Sequence, residues 1–444
     1  MAQSAPRDGP DLDITRLMRK KWAGQREEIA GHTLMHIVIV GAGIVGLNTA
    51  HQMLDQGYRV TLIDRGELTA PWRGNAGIIA HIDILPLASP RMIFQAAKWL
   101  IDPIAPFSIR PTYIPRLMPW LTRFLFSAMP SRIERSTEGI IQLQAMALPA
   151  WERRLASLGL QSEFNRNGML YAYEDVDVFE RTKDTFRRQI ELSIPLELID
   201  GTVLRSMEPA LSDKLQRAAF FPSVAHVNDP YEITHKLAMA ALDRGAQIEE
   251  GVVKSIAVAS GEEPIAVLEG GRSVPADRIV VAAGAWSKAL ATSLGDSVPL
   301  DTERGYNATM SEPGISLSRP VMFEEHAFVL TPLQTGLRVG GAVELASTSA
   351  KPNWKRVEAL LTKARRFVPD LQEGGRVDFM GCRPSIPDSL PVISTSRWSR
   401  KVVYAFGHAH HGLTQSAATA ELVGALISGH APAIDIAPYS AQRF

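Results

Sequence analysis

Hydrophobic and polar positions change period several times along the chain, and each change marks an element. His36 to Val40 is a β-branched run that stops at Gly41-Ala42-Gly43-Ile44-Val45-Gly46, where the period passes from strand to helix. Leu47, Ala50 and Leu54 then share one helical face, Gly57 ends the helix, and Tyr58 to Ile63 form a second strand closing on Asp64. Ile140, Leu143, Ala147 and Trp151 recur at helical spacing within a helix expected over 136–158. Gly168 to Tyr173 alternates as a strand, and a charged helix follows through Phe179, Phe186 and Ile190. Asp229 stands as the cap of a helix with Pro230 first, Ile233, Leu237 and Ala241 on its buried side and Gly245 at its end. Strands are expected over 246–250, 278–282, 327–331 and 337–343, and a helix over 354–367. Near the C-terminus the opening pattern returns, with strand Val402 to Phe406, the turn Gly407-His408-Ala409-His410-His411-Gly412 and a helix of small residues over 414–427. Residues 86–130 have no clear period, because prolines at 86, 90, 103, 106, 111, 115, 119 and 130 interrupt a run of aromatics. They read as an irregular insertion with short helices.

The glycine spacing after the first strand carries chemistry. Gly41 permits the tight turn, Gly43 lets the backbone approach a pyrophosphate, and Gly46 lets the helix lie against the sheet. Ile44 and Val45 open the helix, whose positive end faces the anion. Asp64 stands where such a βαβ unit holds the adenosine ribose hydroxyls. Arg65 is compatible with a ribose 2'-phosphate or with FAD. The distant Gly412-Leu413-Thr414 turn favours FAD: a chain that closes near its end the site opened by its first strand suits a long, buried cofactor. A second G-x-G-x-x-G, expected of a flavoprotein fed by NAD(P)H, is absent from the sequence. Gly74-Asn75-Ala76-Gly77 can pass backbone amides close to a flavin, and Ala283-Gly284-Ala285-Trp286 lets the chain turn beneath one.

Composition narrows the picture. With 444 residues and 45% hydrophobic content, two domains or one elaborated domain with a large core are expected. Lys plus Arg equals Asp plus Glu at 47 each, so no global field draws the protein to nucleic acid. The single cysteine, Cys382, excludes an intramolecular disulfide and suits a reducing compartment, hence a cytoplasmic location. No apolar run reaches the roughly eighteen residues of a membrane helix. Residues 1–34 are polar, lack the apolar core of a secretory signal and read as a loosely ordered extension; translation starting at Met35 would keep the whole pattern. Within 91–126, Arg91, Lys98, Arg110, Arg116 and Arg123 outweigh Asp102. Either the aromatics there form a second-domain core beneath solvated arginines, or this surface touches the inner face of the cytoplasmic membrane, where a quinone takes electrons.

Several runs, in order, resemble the FAD-dependent D-amino-acid dehydrogenases, a branch of the D-amino-acid oxidase and glycine oxidase group. They are the glycine strand-turn-helix, Gly74-Asn75-Ala76-Gly77, Lys98-Trp99 with Ile109-Arg110-Pro111, Arg338-Val339-Gly340-Gly341 with Glu344, Arg383-Pro384 with Pro387-Asp388, and Gly407-His408 with Gly412. The resemblance spans residues 35–430. Asn75 to His81, Pro86 to Pro90, Glu303-Arg304-Gly305-Tyr306 and Pro384 to Pro391 are most similar to the sub-branch acting on D-hydroxyproline or D-proline.

The resemblance implies an α/β fold. A discontinuous Rossmann-type FAD-binding domain would come from 35–90, 136–160, 225–300 and 380–435. An α+β substrate-binding domain on an antiparallel-rich sheet would come from 91–135, 161–224 and 301–379. It implies FAD held by Gly41, Gly43, Ile44, Val45, Gly46, Asp64, Arg65, Asn75, Ala76, Gly77, Val253, Gly284, Trp286, Gly412, Leu413 and Thr414. The implied reaction is hydride transfer to flavin from the α carbon of a D-amino acid in its neutral-amine form. The imine then hydrolyses or, from a ring substrate, remains a pyrroline carboxylate, and the electrons pass to a quinone or redox partner. No general base is obligatory, but the carboxylate must be fixed, which a bidentate arginine does best. Arg383, expected in a loop after a strand, is the candidate, with Tyr306 at a strand start as a second ligand or cover. His408, His410 and His411 lack the cysteines or acids of a metal site and are expected to pack or line a pocket, so no metal is expected. Cys382 lies near where the sarcosine oxidase branch links its flavin, a link that the dehydrogenase pattern lacks. Two other readings stand beside this one: a glycine- or sarcosine-type oxidase using dioxygen, and a non-catalytic FAD-binding subunit of a larger complex. The oligomeric state stays open.

Overall fold

The computed structural model of the protein describes residues 34–66, 74–90, 93–94, 106–259 and 262–444. The N-terminal extension up to residue 33, Arg91 and the Lys98-Trp99 motif lie outside the described residues. The elements that frame the site are β1 (His36–Val40), α1 (Ile44–Asp55), β2 (Arg59–Asp64), β3 (Arg278–Val281), β4 (Asp301–Met310), β5 (Gly336–Leu345), β6 (Val377–Ser385), β7 (Val402–Phe406) and α2 (Gly412–Ser428).

Ile37, Val38 and Ile39 in β1 are all fully buried, which requires cover on both faces of the strand. A six-stranded sheet supplies this setting, in the order Gln247–Glu250, β2, β1, β3, β7, Val392–Thr395. The first five strands run parallel and the last is antiparallel to β7. Val38 pairs with Thr61 on one side and Ile279 on the other. One face packs against α1, α2 and the long helix Pro130–Leu158 through Leu47, Ala50, Leu143, Trp151, Ala417 and Ala418. The other is covered by the three-stranded sheet of Val253–Ala257, Ile265–Leu268 and Ser273–Pro275, and by helix Ser287–Ser293.

The second sheet has nine strands and is mainly antiparallel, with the order β6, β4, β5, Phe328–Leu333, Val321–Phe323, Met169–Tyr173, Arg217–Phe221, Glu197–Asp200; Phe107–Ile109 lies beside β5. Its own core, with Leu330, Val339, Leu360 and Phe367, buries the helix Lys355–Phe367. This is the expected class: a Rossmann-type sheet joined to an antiparallel-rich α+β unit.

Three expectations change. The proline-rich stretch contains the strand Phe107–Ile109 and a regular helix, Ile114–Ser127, while the next helix starts at Pro130, six residues before the expected 136. Pro115 and Pro130 stand in first turns, where a missing N–H costs nothing. Arg383 lies inside β6 and not in a loop; because β6 is an edge strand, Pro384 fits within it. Tyr306 is in the middle of β4, not at a strand start.

Candidate functional site

The parallel strands β1, β2, β3 and β7 bring their carboxyl ends to one edge of the sheet, where ligands of such folds sit. Gly41 has φ +105°, and a Cβ there would lie 2.5 Å from the Ala282 oxygen that follows β3. A Cβ on Gly46 would strike the Gly41 carbonyl. The spacing of these glycines is therefore a packing requirement of turn on strand and helix on turn. Gly43 caps α1 and His411 caps α2, both without a side-chain hydrogen bond and without an acid in the first turn. The amides that open these helices at Ile44 and Val45, and at Gly412, Leu413 and Thr414, present two positive ends at the same edge.

Asp64 accepts the Ala42 N–H through Oδ2 at 2.9 Å, and its Oδ1 has no partner among the described residues. The Arg65 guanidinium lies 3.3 Å over the Trp286 ring. Gly284 has φ +54°, and a Cβ there would meet nothing within 4 Å. Gly251 donates to the Asp64 carbonyl at 2.7 Å, which brings Val253 to this edge as well. Asn75 Oδ1 accepts the Gly77 N–H at 2.8 Å and shapes the turn through Ala76, and the Asn75 carbonyl accepts from Arg338 Nη1. Thr414 Oγ1 accepts the Ala80 N–H at 3.0 Å, and the Leu413 carbonyl accepts from Trp151 Nε1 at 2.8 Å, so both anchor α2 beside that turn. Backbone donors at uncapped helix ends, an open carboxylate oxygen and free space at Gly284 fit the pyrophosphate, ribose and adenine of FAD.

Facing this edge is the β4–β6 surface, whose side chains alternate between two faces. Arg304 and Tyr306 turn to the reverse face, both fully buried. Arg304 Nη1 donates to Glu344 Oε2 at 2.9 Å, Tyr306 donates to the same oxygen at 2.7 Å and accepts the Asn353 N–H at 3.0 Å, and Arg110 pairs with Glu344 at 3.1 Å. The Tyr306 hydroxyl is thus consumed by a buried network, and the expected contact with a substrate carboxylate is not what this geometry offers. Cys382 stands opposite Arg304 in the β4–β6 pairing, one residue out of step with Arg383; burial pushes its thiol pKa up.

Glu303 and Gly305 occupy the other face. Arg383 is the cross-strand partner of Glu303, and its guanidinium lies over Gly305, where a Cβ would be 2.5 Å from Cζ. Arg383 makes no hydrogen bond among the described residues; burial lowers its pKa, and the charge of Glu303 raises it. Glu303 is 6% exposed and accepts from Ser385 Oγ at 2.6 Å and pairs with His410 Nε2 at 2.8 Å. Burial pushes the Glu303 carboxyl up, but His410, Ser385 and Arg383 together hold it at about 2. His410 lies in the turn Ala409–His411 that enters α2, so this pair ties the second sheet to the cofactor edge. Beside them Asn307, 3% exposed, donates to the Gly74 carbonyl at 3.0 Å, and its buried Oδ1 has no partner among the described residues.

The other two histidines of that turn are occupied locally. His408 Nε2 meets Thr419 Oγ1 at 2.9 Å, with its pKa pushed down to about 3 by burial, and His411 Nδ1 meets Gln144 at 3.4 Å. Among the described residues, the side chains grouped closely enough for a metal are Glu174, Glu325 and His326, on the second sheet, where Arg366 already holds Glu174. Sequence reasoning did not single out Glu303, Gly305, Asn307 or Ser385 as site residues. The signal was present in the alternation Glu303, Gly305, Asn307 along one strand face, but its partner β6 lies over seventy residues away.

Comparison with known proteins agrees with this geometry. The family model described as DAO, FAD dependent oxidoreductase, matches residues 36–426. A D-amino-acid oxidase of Bradyrhizobium diazoefficiens is 35% identical over 92% of this chain and 99% of its own length. A D-amino acid dehydrogenase of Rhizobium rhizogenes is 29% identical over 92% of this chain and 100% of its own. Among solved structures, glycine oxidase from Geobacillus kaustophilus superposes with a TM-score of 0.69 at 20% identity, covering 92% of this chain and 99% of that one. The chain, with its glycine-bound strand-turn-helix and its closing α2 turn, therefore belongs to the DAO family of FAD-dependent oxidoreductases.

Proposed function

We propose that the protein oxidises D-amino acids of the proline or hydroxyproline type and passes the electrons to a carrier. The observation that supports this best is the Arg383 guanidinium, which lies without a hydrogen-bond partner among the described residues on the face tied to the start of α2 by Glu303 and His410. Arg383 would hold the substrate carboxylate bidentately and so set the α carbon. FAD, when bound, accepts the hydride from that carbon. The amides of Ile44 and Val45 beside Gly43 would hold its pyrophosphate, and Asp64 Oδ1 its ribose. Arg65, Trp286, Val253 and Gly284 would flank the adenosine half, and the Asn75–Gly77 and Gly412–Thr414 backbones the ring. The similarity to a D-amino-acid oxidase favours a second reading of the same site, in which dioxygen takes the electrons.

An anaerobic screen of D- and L-amino acids, including the hydroxyproline isomers, tests the reading. Flavin bleaching by D-amino acids is expected, fastest with the ring substrates. Bleaching by L-isomers alone, or by none, would overturn it, and peroxide formed in air would decide for the oxidase. Arg383→Ala should keep FAD but lose roughly 2 to 5 kcal/mol of substrate binding.

The carrier side has structural support of its own. Helix Ile114–Ser127 and the residues after it expose Ile114, Met118, Leu125, Phe126 and Met129 at 41–54%. Arg116 and Arg123 are exposed on the same helix. Trp120, by contrast, is buried and stacks on Phe124 at 5.1 Å, and Arg110 is bound to Glu344. The aromatics thus divide between core and surface. An apolar stripe with exposed arginines suits an anionic bilayer surface, where a quinone would collect the electrons. No helix among the described residues is long and apolar enough to cross a membrane.

A further inference from the structure

Arg383 and Glu303 face each other across neighbouring strands, yet no hydrogen bond joins them. Two opposite charges in a poorly solvated place attract strongly. Here the two side chains form no ion pair. The guanidinium is displaced over Gly305, the position where the absence of a Cβ makes room for it. The Glu303 carboxylate is held by Ser385 at 2.6 Å on Oε1 and by His410 at 2.8 Å on Oε2. A carboxylate offers about four lone-pair directions, so one on each oxygen remains open. The nearby Asn307 Oδ1 is buried and has no donor among the described residues.

We propose that Glu303 is the amine subsite: its carboxylate accepts an N–H from the α-amine of an amino acid whose own carboxylate rests on Arg383. This rests on the D-amino-acid reading given above and deepens it. A cation and a hydrogen-bond acceptor held apart on one face match the carboxylate and the amine N–H of a 2-amino acid. They disfavour a plain carboxylic acid, which brings no donor to the open lone pairs of Glu303. With its carboxyl held at about 2, Glu303 stays an anion and acts as an acceptor that orients the amine, not as the base that takes its proton. Ser385 and His410 are positioning residues that keep the carboxylate turned toward the substrate. The same contact suits a ring amine with a single N–H, as in a proline-type substrate, because one donor is enough.

The test compares two ligands on the flavin-loaded enzyme under argon: a D-amino acid and its des-amino analogue of the same carbon skeleton. Binding is read from the perturbation of the flavin absorption, or from the dependence of bleaching rate on concentration. Glu303→Gln keeps the shape of the side chain and removes its charge. It should weaken the amino acid by roughly 10- to 100-fold, the loss expected for a charge-assisted hydrogen bond, while the des-amino acid keeps its affinity or gains. Glu303→Asp, which keeps the charge but withdraws it by one methylene, should fall between. Arg383→Ala should weaken both ligands alike. Equal losses for both ligands in Glu303→Gln, or no loss in either, would overturn the amine subsite. Should Glu303→Gln fail to fold, the ratio of the two ligands in Glu303→Asp decides, an unchanged ratio overturning the assignment. If the wild-type enzyme keeps its flavin yet binds neither ligand, the D-amino-acid reading itself falls, and the subsite with it.

Discussion

Adding a single methyl group at Gly305 should disable the substrate site and leave the rest of the protein intact. A Cβ at this position would lie 2.5 Å from Arg383 Cζ, 2.6 Å from Nη2 and 2.9 Å from Nε, where ordinary contact begins at 3.4 Å. Gly305→Ala therefore has to push the guanidinium away by about 1 Å. Gly305 is not among the residues with positive φ, so alanine fits its backbone. The group that must yield is the tip of a long side chain, so the strand keeps its place. A displacement of about 1 Å in a positioning group can cost around 100-fold in rate, or about 3 kcal/mol in kcat/KM. Anaerobic bleaching against substrate concentration measures this, with flavin content and melting temperature as controls. Gly340→Ala on β5 is the matched comparison, because its Cβ would meet only Asn307 Cβ at 3.7 Å, an ordinary contact. Normal kcat/KM in Gly305→Ala, or the same loss in both variants, would show that Arg383 does not work from the position described.

Gly43 has an ordinary extended backbone, φ −75° and ψ −179°, so in Gly43→Val a loss of FAD reports lost space and not strain; a yellow variant would contradict the cofactor site. Tyr306→Phe should cost roughly 1 to 3 kcal/mol, because the Asn353 N–H and Glu344 lose a partner, with no change in substrate KM; a raised KM at unchanged urea midpoint would refute this. The Glu303 carboxyl falls from its ordinary 4.5 to about 2 in the folded protein, so its ionised form stabilises the fold. That contribution is complete above 4.5 and is lost as pH falls through about 2, so the stability gap between wild type and Glu303→Gln should close over that window; a gap independent of pH would refute it. Sedimentation with anionic liposomes should be salt-sensitive and should weaken by about 1 kcal/mol or more for each of Arg116→Glu and Arg123→Glu, whereas protein that stays in the supernatant throughout would remove the membrane surface.

What the sequence determined by itself was local. The run from His36 to Asp64 specifies strand, turn, helix and strand, because each glycine, the helical period and the closing acid act within a few residues of one another. The Asp229 cap is of the same kind, since its carboxylate accepts from Tyr231 and Glu232 only two and three residues ahead. Pro111, Pro115 and Pro130 misled because a count of prolines ignores position: in a first turn they begin helices and do not break them, and the helix Ile114–Ser127 accommodates Pro119 in its interior as well. Tertiary structure decided the substrate face. Arg383 gains its place only when β6 pairs with β4, which sets it against Glu303 and over Gly305, and Tyr306 loses its expected role because strand alternation turns it to Glu344 on the reverse side. His410 meets Glu303 across more than one hundred residues of chain. Pairing between distant strands is set by burial and register over the whole sheet, and no pattern confined to either strand records it.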